Sequence, residues 1–236
     1  MLSLVRLKTL VASFLCLVSL LADAQTIFPR AGVALSNMSL DSPFPTTEMK
    51  WGTSFTFGLG VELDLAKKID LLVECNYLNR NYRIYNDMPF GTGGRSLGDV
   101  VYEHHNIDIP FQAKRYFGNA PVKFYVTAGG YIDIGLGGTK KGRITYYSSA
   151  GNVFMDLDGE IAYGKSPNFS DDLYYHYFDS RIDAGLVAGV GVLLFKVALV
   201  DVRYQHGFVN ISEESKNRSF QIAVSVPLKL ANTKSL

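Results

Sequence analysis

Residues 54–65, Ser-Phe-Thr-Phe-Gly-Leu-Gly-Val-Glu-Leu-Asp-Leu, alternate strictly between apolar residues and small or polar ones. A period of two places the two sets on opposite faces of a β-strand, whereas in a helix each face would receive both kinds. The length of the stretch matters too, because a tilted strand that crosses a bilayer needs about 9–11 residues, more than the 5–6 common in soluble sheets. The stretch therefore predicts one strand of a membrane β-barrel.

Seven further segments show the same alternation, with apolar residues on one face and polar residues or glycine on the other. Together they predict eight strands, an even number, as single-chain outer-membrane barrels have. The predicted fold class is all-β: a closed antiparallel eight-stranded transmembrane β-barrel with up-and-down topology. The predicted strands are 26–38, 54–65, 69–83, 101–116, 122–137, 181–194, 196–208 and 218–230. Pro110 lies inside the fourth of them and cannot donate to the ladder, so we expect a bulge or a water there.

The connections between these strands are alternately short and long. Outer-membrane barrels combine short periplasmic turns with longer extracellular loops. The alternation predicts that the protein resides in the cell outer membrane and that both termini face the periplasm. The short connections are 66–68, 117–121 and 195–196, and the long ones are 37–52, 84–100, 138–178 and 209–217.

The N-terminus has the composition of an export signal. A positive start at Arg6 and Lys8 precedes an apolar run and a small-x-small cleavage site, Ala22-Asp23-Ala24. The apolar run is shorter than the roughly 20 residues of a membrane-spanning helix. We predict a signal peptide over residues 1–24 and one outer-membrane β-barrel domain over residues 25–236.

Composition argues against a helical membrane protein, a disulfide-stabilised fold and a nucleic-acid-binding protein. Hydrophobic residues make up 47% of the chain, yet no segment after the signal is apolar over 18 residues, so the apolar content is dispersed by alternation. Cys75 is the one cysteine after the signal, which excludes an internal disulfide in the mature chain. The formal net charge of +1, without a basic run, argues against nucleic acid as a partner.

An exported soluble barrel of the lipocalin type would alternate as well, with its apolar face turned inward. Three features favour an outward apolar face. No charged residue interrupts that face within the central spans, glycine recurs on the polar face, and aromatic residues gather near strand ends as interfacial girdles do. The membrane barrel is therefore the preferred interpretation and the soluble barrel the alternative.

Residues 106–117, Asn-Ile-Asp-Ile-Pro-Phe-Gln-Ala-Lys-Arg-Tyr-Phe, are followed by a short turn and by the Gly-containing stretch 124–131. This pair of strands resembles the PorT-like outer-membrane β-barrel domain of Bacteroidetes. The resemblance covers essentially the whole mature chain and implies the barrel architecture, without an assigned chemistry. Four other segments contribute to it: 30–37, 70–77, 183–191 and 203–207.

The histidines are candidates for an enzyme site at the outer rim. His104, His105 and His206 lie at the outer ends of two predicted strands, at the height of Asp179 and Asp183. Omptin-type proteases and PagP-type acyltransferases place such residues at this rim. The alternative is that these are interfacial histidines whose polar tips reach water, and no Ser/His/Asp order or metal spacing supports catalysis. We assign no catalytic, cofactor-binding or metal-ligating residue and no cofactor; His176 is expected to be solvated.

Charged residues on the polar face form a second group. Eight strands leave room inside only for side chains, so the favoured prediction is a paired network that fills the lumen, with an ion path as the alternative. The glycines would provide the space that the long side chains occupy. The predicted inward charges are Glu62, Asp64, Asp70, Glu74, Asp108, Lys114, Lys123, Asp133, Asp183, Asp201 and Arg203.

The long connection 138–178 is rich in tyrosine and aspartate. Aromatic surface loops on a rigid barrel suit binding, so the partners we expect are outer-membrane lipid and a protein or glycan ligand at the extracellular loops. Asp156-x-Asp158-x-Glu160 is a weak Ca²⁺ motif because the rest of a loop motif is missing. A merely protective loop remains the alternative, as do an enzyme and a small-solute porin for the protein as a whole.

Overall fold

The computed structural model describes residues 26–39, 47–90, 93–118, 121–164, 175–211 and 215–229. The predicted signal peptide therefore lies outside the described residues. None of the described residues forms a helix long and apolar enough to cross a bilayer. The strands are β1 (Thr26–Ser39), β2 (Thr47–Ala66), β3 (Ile69–Phe90), β4 (Gly94–Phe117), β5 (Val122–Ser148), β6 (Gly151–Asp156), β7 (Gly159–Tyr163), β8 (Tyr175–Phe178), β9 (Ile182–Leu194), β10 (Ala198–Gly207), β11 (Lys216–Ser225) and β12 (Leu228–Lys229).

Eight of these strands form a ring, in the order β1, β2, β3, β4, β5, β9, β10 and β11, with β11 pairing β1 again. Every pairing between neighbours in the ring is antiparallel. All eight predicted strands are present, so the predicted all-β antiparallel eight-stranded fold is confirmed.

The stagger of the ring sets the tilt of its strands. Paired residues followed once round from Ile27 lead back to Asn37, ten residues further along β1. Ten residues span about 33 Å along the strands, against a width of roughly 38 Å across eight strands, so the strands tilt by roughly 40°. Outer-membrane barrels have this tilt, about 35–45°.

The two faces of the ring differ as the alternation predicts. On β2, Phe57 and Leu59 point outward and are 51% and 60% exposed, whereas Thr56 points inward and is 2% exposed. Polar side chains such as Glu74 and Arg203 lie inside. The apolar face is therefore outside, as a lipid-facing barrel requires and a lipocalin-type barrel does not.

Short turns gather at one end of the ring, which we call the turn end; the opposite end is the loop end. At the turn end β9 and β10 are joined by a tight hairpin in which Phe195 and Lys196 both have positive φ, at 51° and 60°. The amide of Val197 donates to the carbonyl of Leu194 at 2.9 Å. Positive φ at both central residues is the mark of a turn whose twist matches that of the strands.

At the loop end the strands are longer than predicted. β3, β4 and β5 contain 22, 24 and 27 residues, whereas β10 and β11 contain 10 each. Much of the predicted connections 84–100 and 138–178 is therefore strand, and the prediction of loops there is wrong. These extensions pair with one another and form a five-stranded sheet on one side of the ring. We call this sheet the wall: it contains Thr47–Trp51 of β2, the loop-end parts of β3, β4 and β5, and β6.

Pro110 does not cause the bulge that we expected. Its register with Tyr131 is regular, and Val73↔Phe111 and Asn76↔Asp108 keep one register on either side of it. The ladder to β3 is interrupted between those two pairs, because proline has no amide hydrogen to donate. The register shift on β4 lies instead between His105 and Asn106.

Candidate functional site

Ion pairs cross the lumen between strands on opposite sides of the ring. Arg203 on β10 donates to Glu74 on β3 at 2.7 Å, and β3 and β10 are four strands apart in either direction. Arg203 also lies 3.0 Å from Asp201, which accepts from Arg30 at 2.7 Å. These side chains are at most 4% exposed. These ion pairs therefore connect β1, β3 and β10 across the lumen, within the apolar band.

A second level of contacts lies nearer the loop end. Arg80 donates to Asp133 at 2.8 Å and to the Gln205 amide oxygen at 3.2 Å. The same Gln205 donates to Asp108 at 3.0 Å, while Asp183 accepts from Tyr131 at 3.0 Å. Arg80 is thus the ion-pair partner of Asp133, and no ion pair joins Asp108 or Asp183 to another described residue.

The level nearest the turn end is built around Lys114. Its ammonium donates to Glu62 at 2.7 Å and lies 4.6 Å and 4.4 Å from the ring centroids of Tyr116 and Tyr125. An ammonium over aromatic faces is stabilised by their quadrupoles. Each of the three levels of the lumen therefore contains at least one ion pair, as the predicted network requires, although Asp108 and Asp183 take part through hydrogen bonds instead.

Three predicted inward charges lie at the rim rather than inside. Asp64 is exposed, and Asp70 and Lys123 are partly exposed at the turn end. Arg30 and Arg80, which the alternation places on the polar face of their strands, are buried inside the ring. Large apolar side chains also face inward, which an argument from polarity misses: Phe28, Leu72, Leu78, Val187 and Leu199.

Glycines on the inward face provide room for these side chains, as predicted. A Cβ at Gly189 would lie 2.7 Å from Cγ of Arg203 and 2.9 Å from the carbonyl oxygen of Val202. A Cβ at Gly185 would lie 2.8 Å from the Tyr131 ring. The interior is therefore closely packed against the backbone of these strands.

Gly189→Ala is expected to lower the free energy of unfolding by about 1–3 kcal/mol, because overpacking displaces the Arg203 side chain. Urea unfolding in lipid vesicles measures it. Gly98→Ala is the matched control, since its Cβ would meet neighbours at 3.6 Å or more. Equal stabilities of the two variants would show that the lumen has spare room at Arg203.

A cap closes over the lumen at the loop end. β7 pairs with β5 at Thr139 and Lys140 and runs parallel to β8. Tyr163 of β7 hydrogen-bonds His104 at 2.6 Å, and Arg181 lies 4.7 Å from the Tyr163 ring centroid. The buried apolar cluster beneath and around this cap contains Met38, Tyr82, Val100, Tyr102, Ile161, Phe178 and Ile211. Part of the predicted loop 138–178 thus folds inward rather than projecting.

The rim histidines do not meet. His104 points into the lumen, whereas His105 and His206 lie on the outward face, where His105 bonds the Tyr77 hydroxyl at 2.6 Å and His206 stacks beside Tyr204. Asp183 is buried against Tyr131, and Asp179 is exposed. The candidate His/Asp site is therefore not assembled. The side chain of His176 and residues 171–172 lie outside the described part.

Two carboxylates of the Asp156-x-Asp158-x-Glu160 motif, the weak Ca²⁺ motif, accept hydrogen bonds from β5 instead. Arg143 donates to Asp156 at 2.6 Å, and the amide of Gly142 donates to Asp158 at 3.4 Å. Among the residues that the structure describes, no three His, Cys, Asp or Glu side chains cluster as metal ligands do.

Cross-strand ion pairs cover the outer face of the wall. Arg83 pairs with Asp99, Arg95 with Asp87 and Arg143 with Asp156. The hydrogen bonds from Arg83 hold the pKa of Asp99 below its usual range. A lowered carboxylate pKa contributes stability at neutral pH that is lost as the pH falls through the folded-state pKa. The outer face of the wall thus faces water, and ion pairs that are individually weak connect its strands.

The free edge of the wall is β6. Among the described residues β6 pairs with β5 alone, from Arg143↔Asp156 to Ser148↔Gly151. Val153 and Phe154 in its middle are both 62% exposed. An edge strand with unpaired backbone groups and exposed apolar side chains is a template for pairing with another chain.

A sequence model of the family described as "Outer membrane protein beta-barrel domain" matches residues 24–213. The chain belongs to this family. The protein is therefore an outer-membrane β-barrel, and its predicted location in the outer membrane is confirmed. No curated protein matches the chain by sequence.

Several solved outer-membrane proteins are similar in structure. OprG from Pseudomonas aeruginosa is 13% identical, with 88% of this chain and 98% of that chain covered and a TM-score of 0.43. Ail of Yersinia pestis, in complex with the heparin analogue sucrose octasulfate, is 12% identical, with coverages of 86% and 99% and a TM-score of 0.39. Neisserial surface protein A is 14% identical, with coverages of 86% and 97% and a TM-score of 0.37. Family membership rests on the match over 24–213 rather than on these likenesses.

Proposed function

We propose that this barrel is a surface-binding protein, in which the filled ring is the membrane anchor and the wall binds a protein partner by strand addition at β6. The observation that carries the proposal is the outer edge of β6 at the side of the wall, since β6 pairs with β5 and with no other strand that the structure describes. In the predicted topology, with short turns in the periplasm, the wall faces the outside of the cell.

The shape of the wall supports this role. The ladder between β3 and β4 continues from Tyr82↔Tyr102 to Phe90↔Gly94, which adds roughly 25 Å of strand beyond the ring. The Tyr82 and Tyr102 rings stack at 5.0 Å at its base. A rigid sheet that holds an edge clear of the bilayer suits recognition of an extended segment by backbone hydrogen bonds.

Two alternatives have less support. An enzyme at the rim would need His104 and His206 on one face of the sheet, and they lie on opposite faces. A porin would need an open lumen, whereas Arg203 and Glu74 bond across it. The narrower resemblance to the PorT-like domain of Bacteroidetes belongs to the same proposal, and its motifs indicate architecture rather than chemistry.

The test uses full-length protein in lipid vesicles against a panel of purified extracellular proteins and glycans. We expect binding of a protein that falls at least tenfold in Phe154→Lys, because a charge on an edge strand opposes pairing. Lys50→Ala, on β2 at the far side of the wall, is the matched control and should bind normally. Binding unaffected by Phe154→Lys, or turnover of a lipid or peptide substrate that His104→Ala abolishes, would overturn the proposal.

The purified barrel is expected not to conduct ions. Eight strands enclose a lumen just wide enough for side chains, whereas porins of 16–18 strands leave a channel. Planar-bilayer recording tests this expectation. Stable single-channel steps, with an ion selectivity that Arg203→Ala or Glu74→Ala changes, would contradict it.

A further inference from the structure

Positive side chains encircle the turn end of the ring. They lie in the β2–β3 turn, at the end of β4, at the start of β5, in the β9–β10 turn and on β12. All are exposed except Lys123, which is partly exposed. We call this set the basic belt: Lys67, Lys68, Arg115, Lys123, Lys196 and Lys229.

The belt differs from the cations of the wall in its ion pairing with the described part of the chain. No belt residue forms an ion pair with a described residue, whereas Arg83, Arg95 and Arg143 on the wall each do. Of the acids at the turn end, Glu62 is bonded to Lys114 inside the lumen. The turn end also carries Asp64 and Asp70, two carboxylates against the six cations of the belt, so it has a surplus of positive charge.

The belt adjoins the lipid-facing surface. Phe117, Phe124 and Phe195 are 45%, 61% and 68% exposed at the same end of the ring. The Arg115 guanidinium lies 5.2 Å from the Phe117 ring centroid, and Lys196 directly follows Phe195 in the turn. Aromatic girdles mark the edge of the hydrocarbon layer, so the belt lies at the depth of lipid headgroups.

We propose that the basic belt binds the phosphate groups of anionic phospholipids in the membrane leaflet that the turn end faces. The charge surplus is complementary to such headgroups, and the belt continues a surface that already contacts lipid. A Lys or Arg near an anionic surface raises lipid affinity about fivefold. Anionic lipids are therefore enriched around the turn end and not around the loop end.

Fluorescence quenching can test this at each end separately. Trp51, the single tryptophan, lies at the loop end. A Trp51→Phe/Phe195→Trp variant moves the reporter to the turn end. In vesicles, brominated phosphatidylglycerol is expected to quench the turn-end reporter with a several-fold higher relative affinity than brominated phosphatidylcholine. The native Trp51 should show no such preference.

Charge removal and salt identify the ligand. Replacing the six belt residues by glutamine in the reporter variant should bring the relative affinity to about one, and gel mobility before and after heating checks folding. In the unaltered belt, sodium chloride and sodium phosphate at equal ionic strength should weaken the preference equally, by screening. The proposal would be overturned by equal quenching by both lipids or by a preference that salt does not change. It would also be overturned by a preference that phosphate alone abolishes, since that would indicate a free-phosphate site.

Discussion

Arg80→Met is expected to lower the free energy of unfolding by about 3–5 kcal/mol, since it removes one partner of a buried ion pair and leaves the other charge uncompensated. Arg80 is 1% exposed and bonds Asp133 at 2.8 Å. Asp108 and Asp183 lie in the same part of the lumen without an ion pair to a described residue. The loss of Arg80 would therefore leave three carboxylates facing one another with less positive charge between them.

Urea unfolding in lipid vesicles, followed by Trp51 fluorescence, measures the effect. Arg83→Met is the matched control, because Arg83 pairs with Asp99 on the exposed face of the wall, where a pair contributes at most about 1 kcal/mol. Adding Asp133→Asn to Arg80→Met should recover part of the loss, because it removes the orphaned charge. A loss from Arg80→Met no larger than that of the control would mean that water, rather than protein, solvates these groups.

The faces of the ring were predictable from sequence because lipid and lumen impose opposite demands on successive residues. Phe57 and Leu59 face lipid, while Glu74 and Asn76 face the lumen, and parity alone separates them. Strand order was predictable too, since connections as short as the turn at Phe195 and Lys196 can only join antiparallel neighbours.

The wall was not predictable in the same way. Beyond the apolar band the outward face of the wall meets water and carries charged residues such as Arg83 and Arg95, so the apolar outward face that marks a membrane strand is lost. Residues 86–89, Asn-Asp-Met-Pro, have turn-forming types, yet they continue β3, whose ladder with β4 runs to Phe90↔Gly94 and is joined there by the pair of Arg95 with Asp87. Likewise, Phe178 packs under the cap through contacts that are distant in sequence.

The sequence predicts that charged side chains pair across the lumen, but not which residues form each pair. Parity places Arg203 and Glu74 inside, but which acid meets which base depends on the ten-residue stagger of the ring, and no single strand encodes that stagger. The histidine site failed for a different reason, which strand parity already contains. His104 and His105 are adjacent in sequence and therefore lie on opposite faces of β4.

Leu59→Arg is expected to lower the free energy of unfolding by about 2–4 kcal/mol in a bilayer, because a charge at the midplane of the lipid face is poorly solvated. Leu59 is 60% exposed and lies on the outward face of β2, between the turn-end residue Leu65 and the girdle residue Phe55. Leu65→Arg is the matched control: its side chain is 64% exposed near the turn end, where the cost falls to about 0–1 kcal/mol.

The difference between the two substitutions separates a membrane barrel from a soluble one. In a soluble barrel with this ring both side chains would face water, and arginine would be tolerated equally at both. In a bilayer the cost depends on depth, so Leu59→Arg must exceed Leu65→Arg by at least about 1 kcal/mol. Urea unfolding of both variants in vesicles of one lipid composition measures the difference, and equal stabilities would place the apolar face of β2 outside the hydrocarbon layer.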